Sequence, residues 1–295
     1  MKNKLVKALA LNNHVRIYCL NSTELVQQAR LTHNLFPTSL AALGRVMSVS
    51  AIMAMMQKNE KDRIITQING GGAIGTIMVE AKSNGDIRGF VGDNEIYLKY
   101  NDSNKLAVGL AVGTNGYLKI TKDFNLKDQF SGQVALQTGE IGDDFAYYFS
   151  VSEQTPSIVS CGVLVDTDYS CKTAGALLIQ LMPDAIEEDI VKVEELLKTL
   201  KPISELLSIN SNPKDIVKTL FDDVQLLEEV EVRWQCNCER ERFKAGLMTL
   251  KIDDLEEMIK EDHQAEVKCE YCNSTYIFDE IELNEIVEMK KTCGK

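Results

Sequence analysis

The first 180 residues mix short strand-like runs with helical patterns. Runs rich in β-branched and aromatic residues predict strands, and they lie at 15–20, 63–69, 76–81, 87–91, 106–112, 117–120, 133–137, 157–165 and 175–182. Apolar residues at helical spacing predict helices at 24–35, 37–56 and 143–149. The helix at 37–56 is apolar almost all round, so we expect it to be buried, with its methionines packing in the core rather than forming a binding surface.

A glycine-rich stretch at 70–75 raises the question of a phosphate-binding loop. Phosphate and dinucleotide loops lead into a helix, whereas residues 76–81 have the pattern of a strand. We therefore interpret the glycines as a tight connection between strands. The histidines of this region, His14 and His33, have no serine or aspartate at a recognisable catalytic spacing. The sequence thus predicts that the protein is not an enzyme.

The pattern changes after Pro183. Over residues 184–200, apolar residues recur every three or four positions and predict an amphipathic helix. Its apolar stripe consists of Ile186, Ile190, Val193, Leu197 and Leu200. Short helical patterns follow Pro202, but acidic clusters make all of these helices marginal unless they pack against another surface. The segment 183–232 is therefore either an ordinary connector or a metastable linker whose stripe can be covered or exposed.

The C-terminal segment 233–295 carries four cysteines in two short pairs, with a strand pattern at 229–235 leading into the first. The pairs are Cys236 with Cys238 and Cys269 with Cys272, a C-x-C and a C-x-x-C separated by thirty residues. Two such pairs describe a tetrahedral four-cysteine site for one Zn²⁺, and four sulfurs leave no open position for catalysis. Neighbouring thiols can also oxidise to disulfides. The site is either a passive support for a small metal-dependent module or a redox trigger.

The distribution of charge argues against a nucleic-acid-binding zinc finger. The net charge is −12. Residues 184–232 hold 13 acidic and 5 basic side chains, a net −8, and residues 233–295 hold 15 acidic and 10 basic side chains, a net −5. Modules that bind phosphates are basic. A structural zinc ribbon that binds nucleic acid or a protein partner, and a thiol oxidoreductase, are nevertheless kept as alternatives.

The remaining cysteines and the apolar runs bear on the cellular compartment. We expect Cys19, Cys161 and Cys171 to be small buried residues and Cys293 to be an exposed, incidental thiol. Eight cysteines without a signal-peptide pattern favour a reducing, cytoplasmic setting. Apolar runs such as 47–56 fall short of the roughly 20 residues that cross a bilayer, so no membrane partner is expected.

The cysteine spacing near the end of a 295-residue chain, with a helical linker before it, resembles the heat-shock protein 33 family, a redox-regulated chaperone of 33 kDa. Stretches throughout the chain agree with this resemblance. They are PT at 37–38 with ALGR at 42–45, GGAIG at 71–75, NGDIRG at 84–89, SEQTPS at 152–157 and GALLIQLMP at 175–183. The resemblance implies an α+β fold. An N-terminal domain of β-sheets with packed helices would span 1–182, a helical metastable linker 183–232, and a small zinc-binding redox-switch domain 233–295.

The resemblance also implies a function. The family implies an ATP-independent holdase that is inactive when reduced and zinc-bound. Its disulfides correspond here to Cys236–Cys238 and Cys269–Cys272. Their formation would release zinc, unfold the linker, favour a homodimer and allow unfolded client proteins to bind, and the linker stripe is one candidate client surface.

Overall fold

Strands and helices alternate along the chain. The computed structural model describes residues 3–103, 105–125 and 129–293, and it describes Cys293 by its backbone alone. The strands are β1 (Lys4–Ala10), β2 (Val15–Asn21), β3 (Arg63–Asn69), β4 (Ile77–Lys82), β5 (Asp86–Val91), β6 (Tyr117–Asp123), β7 (Phe130–Ala135), β8 (Ser157–Val165), β9 (Cys171–Leu181), β10 (Gln225–Glu231), β11 (Arg233–Trp234), β12 (Gln264–Lys268) and β13 (Thr275–Asp279). The helices are α1 (Thr23–His33), α2 (Pro37–Met55), α3 (Val108–Val112), α4 (Gly142–Val151), α5 (Glu187–Thr199), α6 (Ile203–Ile209), α7 (Pro213–Lys218), α8 (Arg240–Leu247), α9 (Ile252–Glu261) and α10 (Glu280–Cys293).

The strands of the described residues form three sheets. One has five strands in the order β10-β1-β2-β9-β8, a second has six in the order β11-β5-β4-β3-β6-β7, and the third pairs β12 with β13. Neighbouring strands are antiparallel, apart from β11, which runs parallel to β5. The chain divides into two compact units, residues 1–235 and 236–295. The predicted α+β class is confirmed.

Helix α2 is the centre of the first unit. It packs against strands of both large sheets, and nearly all of its residues are buried. By length and composition alone, α2 could cross a membrane. The apolar segment is thus longer than the run at 47–56 from which the sequence analysis judged it too short. However, 89% of its most apolar window is buried inside the fold. Its uniform apolarity is therefore explained by its position between two sheets, and its methionines at 47 and 53 lie in the core, as predicted.

The strand predicted at 106–112 is wrong, because Val108–Val112 forms the short helix α3. A short apolar run does not distinguish a strand from a buried helix. The surroundings decide here: the carbonyl groups of Ala111 and Val112 accept hydrogen bonds from Ile74 and Gly72 in the glycine-rich loop. A Cβ at Gly72 would lie 2.3 Å from the Ala111 carbonyl oxygen, so the loop needs glycine for close backbone approach. The glycines connect β3 to β4, as predicted.

The segment predicted as a helical linker is helical only in part. It contains α5, α6 and α7, but it ends in strand β10, which pairs with β1. The strand pattern noted at 229–235 therefore begins earlier, at Gln225, and is interrupted at Val232. All of these elements belong to the first compact unit. The boundaries at 182/183 and 232/233 remain predictions.

Candidate metal centre and covering linker

The C-x-x-C pair lies in the turn of a small hairpin. Strand β12 leads into Cys269 and β13 follows Cys272, as expected for a zinc knuckle. The amide of Cys269 donates to the Ser274 carbonyl, and the amides of Cys272 and Asn273 donate to the Cys269 carbonyl. Asn273 has φ of +60°, a conformation that asparagine tolerates better than most residues. These bonds fix the turn that brings both thiols to one side.

The structure brings all four predicted cysteines together. Their sulfur atoms lie within 4.8 Å of one another. The sulfurs of Cys236 and Cys269 are 3.8 Å apart, and those of Cys238 and Cys272 are 3.3 Å apart. Tetrahedral Zn²⁺ with Zn–S bonds of about 2.3 Å requires sulfur–sulfur edges of about 3.8 Å, whereas a disulfide requires about 2.05 Å. The cluster therefore fits four thiolates around one zinc ion.

The electrostatics of the cluster also call for a cation. Burial raises the pKa of the Cys269 thiol to about 12. Burial likewise opposes ionisation of Cys272, but hydrogen bonding to Ser274 and to the neighbouring cysteines outweighs it and lowers that pKa to about 7. The Tyr276 hydroxyl, 3.4 Å from the sulfur of Cys238, has its pKa raised to about 12 by that contact. The thiols of Cys269 and Cys272 thus differ in how readily they ionise, and bound Zn²⁺ would favour the thiolate form of both.

The module around the cysteines has a small apolar core. Among the described residues its buried cluster consists of Leu247, Leu255, Ala265, Phe278, Leu283, Ile286 and Val287. Arg240 lies over the Phe278 ring at 4.3 Å and pairs with Glu282 at 2.7 Å. Such a core stabilises a small module only weakly, so its fold is expected to depend on the metal.

Comparison with known proteins decides the family. Residues 3–279 match the family described as Hsp33 protein. This chain belongs to the Hsp33 family. The 33 kDa chaperonin of Geobacillus kaustophilus is 42% identical over 293 residues, 99% of each chain. The 33 kDa chaperonin of Bacillus subtilis is 41% identical over 280 residues, 95% of this chain and 96% of the relative. The resemblance noted in the sequence is confirmed, and the relatives' names denote a non-enzymatic role.

A solved structure agrees over the whole length. The crystal structure of the 33 kDa chaperonin from Thermotoga maritima superposes with a TM-score of 0.91 at 33% sequence identity, covering 99% of this chain and 100% of that one. The fold of this chain is therefore that of an Hsp33 protein. As an Hsp33 family member, this chain is a chaperone by descent, with a four-cysteine cluster suited to zinc.

Three further cysteines of this Hsp33 chain belong to the first compact unit. Cys19 and Cys171 are buried and Cys161 is partly buried, close to the prediction for all three. Burial raises the pKa of each thiol to about 12. The side chain of Cys293 lies outside the described residues. Among the described thiols outside the cluster, burial and the raised pKa values make reaction with oxidants slow.

The linker helices cover one apolar face of the five-stranded sheet. On the sheet side this face consists of Ala8, Ala10, Val15, Ile17, Cys19, Leu177 and Ile179, with Leu11 in the turn between β1 and β2. On the linker side the buried residues are Val193, Ile203, Leu207, Ile216, Val217 and Leu220. We call this shared set the linker core. Since sheet and linker each supply about half of it, neither side is shielded from water without the other.

The predicted stripe of α5 is only partly buried. Val193 is buried, Ile190 and Leu200 are partly buried, and Ile186 and Leu197 are exposed. Ile186 is the N-cap residue in an extended conformation, so it does not share the helical face. Leu196 packs into the linker core where Leu197 was expected. Whether the stripe binds clients remains a prediction.

Two residues of the acidic clusters, which the sequence analysis expected only to make the linker helices marginal, fasten the linker to the turn between β1 and β2. The Asp223 carboxylate accepts hydrogen bonds from the amides of Leu11 and Asn12 at 2.9 and 2.8 Å. Asp189 lies 2.6 Å from Nδ1 of His14 and caps α5 by accepting from the Ile186 amide. The sequence signal for the capping role of Asp189 was its place in the first turn of a helix, where an acidic residue is favoured.

The turn needs this support because its backbone is strained. Leu11, Asn12 and Asn13 all have positive φ, between 49° and 72°. For Leu11 in particular this left-handed conformation is costly. Hydrogen bonds from Asn12 and Leu11 lower the pKa of Asp223, so its carboxylate is charged where it holds the turn. Linker and turn therefore stabilise each other.

Proposed function

We propose that this Hsp33 chain is a redox-regulated, ATP-independent holdase of the cytoplasm. In the reduced, zinc-bound state the linker covers the apolar face of the sheet and the chaperone is inactive. Oxidation of the cysteines, with loss of zinc and unfolding of the linker, uncovers apolar surface that binds unfolded proteins and favours a homodimer. The observation that carries the proposal is the linker core, half of which is a sheet face fit for apolar clients.

The chemistry of activation resides in the sulfurs. One thiolate of a pair donates electrons to a peroxide oxygen, the O–O bond breaks, and a sulfenic acid forms. The second thiol attacks that sulfur, the S–O bond breaks, water leaves and a disulfide remains. We assign the pairs Cys236–Cys238 and Cys269–Cys272, as the resemblance implies. Bound Zn²⁺ supplies the charge that keeps four sulfurs together, and each disulfide withdraws two of the four ligands.

Loss of the metal reaches the linker through the chain itself. Cys236 follows Trp234 by two residues, and Trp234 with Arg233 forms β11, directly after β10. Strand β11 pairs with β5 over only two residues, with the Arg233–Asp86 ion pair at 2.7 Å as support. Motion of the cysteine segment would therefore act first on the short pairing of β11 with β5. Strand β10 of the linker is the next element back along the chain.

The direct test measures suppression of aggregation of a chemically unfolded client. The oxidised, zinc-free chain should keep the client soluble at near-equimolar ratio, and the reduced, zinc-loaded chain should not. Equal suppression by both forms would refute redox regulation. The acidic character of the linker and module makes nucleic acid an unsuitable partner, and the absence of DNA or RNA binding at low salt is expected.

A further inference from the structure

The edge of the five-stranded sheet is occupied by a strand of the linker. Strand β10 pairs antiparallel with β1 from Lys4 opposite Glu231 to Leu9 opposite Gln225. Because β1 has β2 on its other side, β10 alone separates the backbone groups of β1 from solvent in the described part of the sheet. If the linker unfolds as proposed above, the edge of β1 is left without its neighbour.

Little side-chain burial holds β10 in place. Six of its seven residues are exposed, and only Val230 is partly buried. The register shifts between Lys7 and Ala8, which leaves Leu227 as the extra residue of a bulge with 51% of its surface exposed. In β1, by contrast, Leu5, Val6, Ala8 and Ala10 are buried. The strand that stays is part of the core, and the strand that leaves is held mainly by its backbone hydrogen bonds.

The charges on β1 and β10 indicate which kind of segment can pair with the edge of β1. The ammonium group of Lys4 lies 2.6 Å from the Glu229 carboxylate, and Lys7 stands opposite Glu228. The pairing strand thus combines acidic residues with leucine and valine, and β1 presents lysines. Opposite charges across an antiparallel pair stabilise it, and like charges destabilise it. An uncovered, unpaired strand edge readily accepts another extended segment.

We infer that the edge of β1 is a client-binding site, in which an extended segment of an unfolded polypeptide carrying acidic and apolar residues replaces β10 as an added antiparallel strand. This inference rests on the proposed function and specifies its binding mode. Backbone hydrogen bonds would bind many sequences, as strand addition does elsewhere, and the two lysines would favour acidic segments. Strand β10 is then an intramolecular occupant of the client site in the inactive state.

The test uses a fluorescent peptide with the sequence of residues 224–232 and the full-length protein. The oxidised, zinc-free protein should bind the peptide, and the peptide should compete with an unfolded client, whereas the reduced, zinc-loaded protein should not bind it. A peptide with Glu228→Pro should bind much more weakly, because proline cannot continue the ladder. Equal binding of the proline peptide would overturn strand addition.

Charge reversal locates the site. The double variant Lys4→Glu, Lys7→Glu should bind the peptide about tenfold more weakly, and a peptide with Glu228→Lys and Glu229→Lys should restore most of the affinity. Rescue by the reversed peptide shows that the variant is folded and that the contact is direct. Unchanged affinity in the variant would overturn the assignment to β1.

Two other outcomes separate this inference from the proposed function. An oxidised protein that suppresses aggregation normally but binds no peptide would overturn the strand site alone. An oxidised protein that fails to suppress aggregation would overturn the proposed function, and the client site with it. Protection of β1 amides that rises with protein concentration in the absence of client would assign the edge to a second copy, against the inference.

Discussion

The two compact units of the chain differ in what holds them together. The first has a cluster of 42 buried apolar residues around α2, and it also contains the 14-residue linker core. The second has a buried cluster of seven apolar residues and four cysteines suited to a metal; these numbers refer to the described residues. On the proposed function, we therefore expect the first unit to keep its fold when the thiols are oxidised and the second unit to lose its fold. The linker core belongs to the first unit but is its smaller, two-sided part.

The largest effect is expected from removing metal ligands. With Cys269→Ser and Cys272→Ser, zinc stoichiometry should fall from near one to near zero. The second unit should lose structure, because zinc contributes on the order of 10 kcal/mol to folding in such modules. Zinc content and amide exchange of 236–292 measure this directly. Cys161→Ser serves as the matched control and should retain zinc. A double variant that still holds one zinc ion would show that the ligand assignment is wrong.

The linker core is tested by comparing two residues of α6. Leu207 is 2% exposed and Ile209 is 72% exposed. Leu207 lies over Gly175, where a Cβ would approach its Cδ1 to 2.3 Å, so it packs directly on β9. Leu207→Ala should weaken linker docking by about 2–4 kcal/mol, and Ile209→Ala should have almost no effect. Amide exchange of α5–α7 gives the free energy of docking.

The variants Leu207→Ala and Ile209→Ala also test whether linker docking controls holdase activity. If the linker blocks client binding, Leu207→Ala should suppress aggregation at lower oxidant concentration than the parent chain, while Ile209→Ala should behave as the parent does. Identical activation profiles for Leu207→Ala and the parent would show that docking of the linker does not limit activation.

Two buried thiols report which core opens. Cys19 lies in the linker core and Cys171 in the large cluster, and burial raises the pKa of both to about 12. On activation, Cys19 should be alkylated or oxidised at least about tenfold faster, because a solvated thiol ionises more readily. Cys171 should change little. Mass spectrometry that counts both modifications measures the ratio, and equal acceleration of the two thiols would mean that the whole first unit opens.

The smallest effect concerns the hydrogen bonds of Asp223. Its pKa is lowered in the folded chain, so its stabilisation is fully present above the unfolded value of about 3.9 and is lost as the pH falls through the lower folded value. At neutral pH, Asp223→Asn should weaken docking by about 1 kcal/mol or less, since the carboxylate is exposed. The exposed neighbour substitution Asp222→Asn is the control. Amide exchange at pH 7 should show the difference in docking free energy between Asp223→Asn and the parent chain. The same measurement in acid below the folded pKa should show that this difference vanishes.

Local patterns of the sequence predicted much of the local structure. Helix α2, the cysteine hairpin and most strands follow from periodicity, and the four ligands follow from their spacing. The pairing of β10 with β1 could not be predicted, because it joins residues more than 200 positions apart. The prediction that Leu197 lies on the buried face of α5 was wrong. A polar residue, Asp189, occupies that face and pairs with His14. A prediction from the spacing of apolar residues cannot place a buried polar residue of this kind.

On the proposed function, oxidation releases the linker from a sheet that itself remains folded. Hydrogen exchange of residues 187–231 and of α2, followed with zinc content during one oxidant titration, tests it most directly. Linker amides and the edge of β1 should lose protection as zinc is lost and holdase activity rises, while α2 amides should stay protected. Full holdase activity with linker amides still protected, or loss of protection in α2 together with the linker, would contradict it.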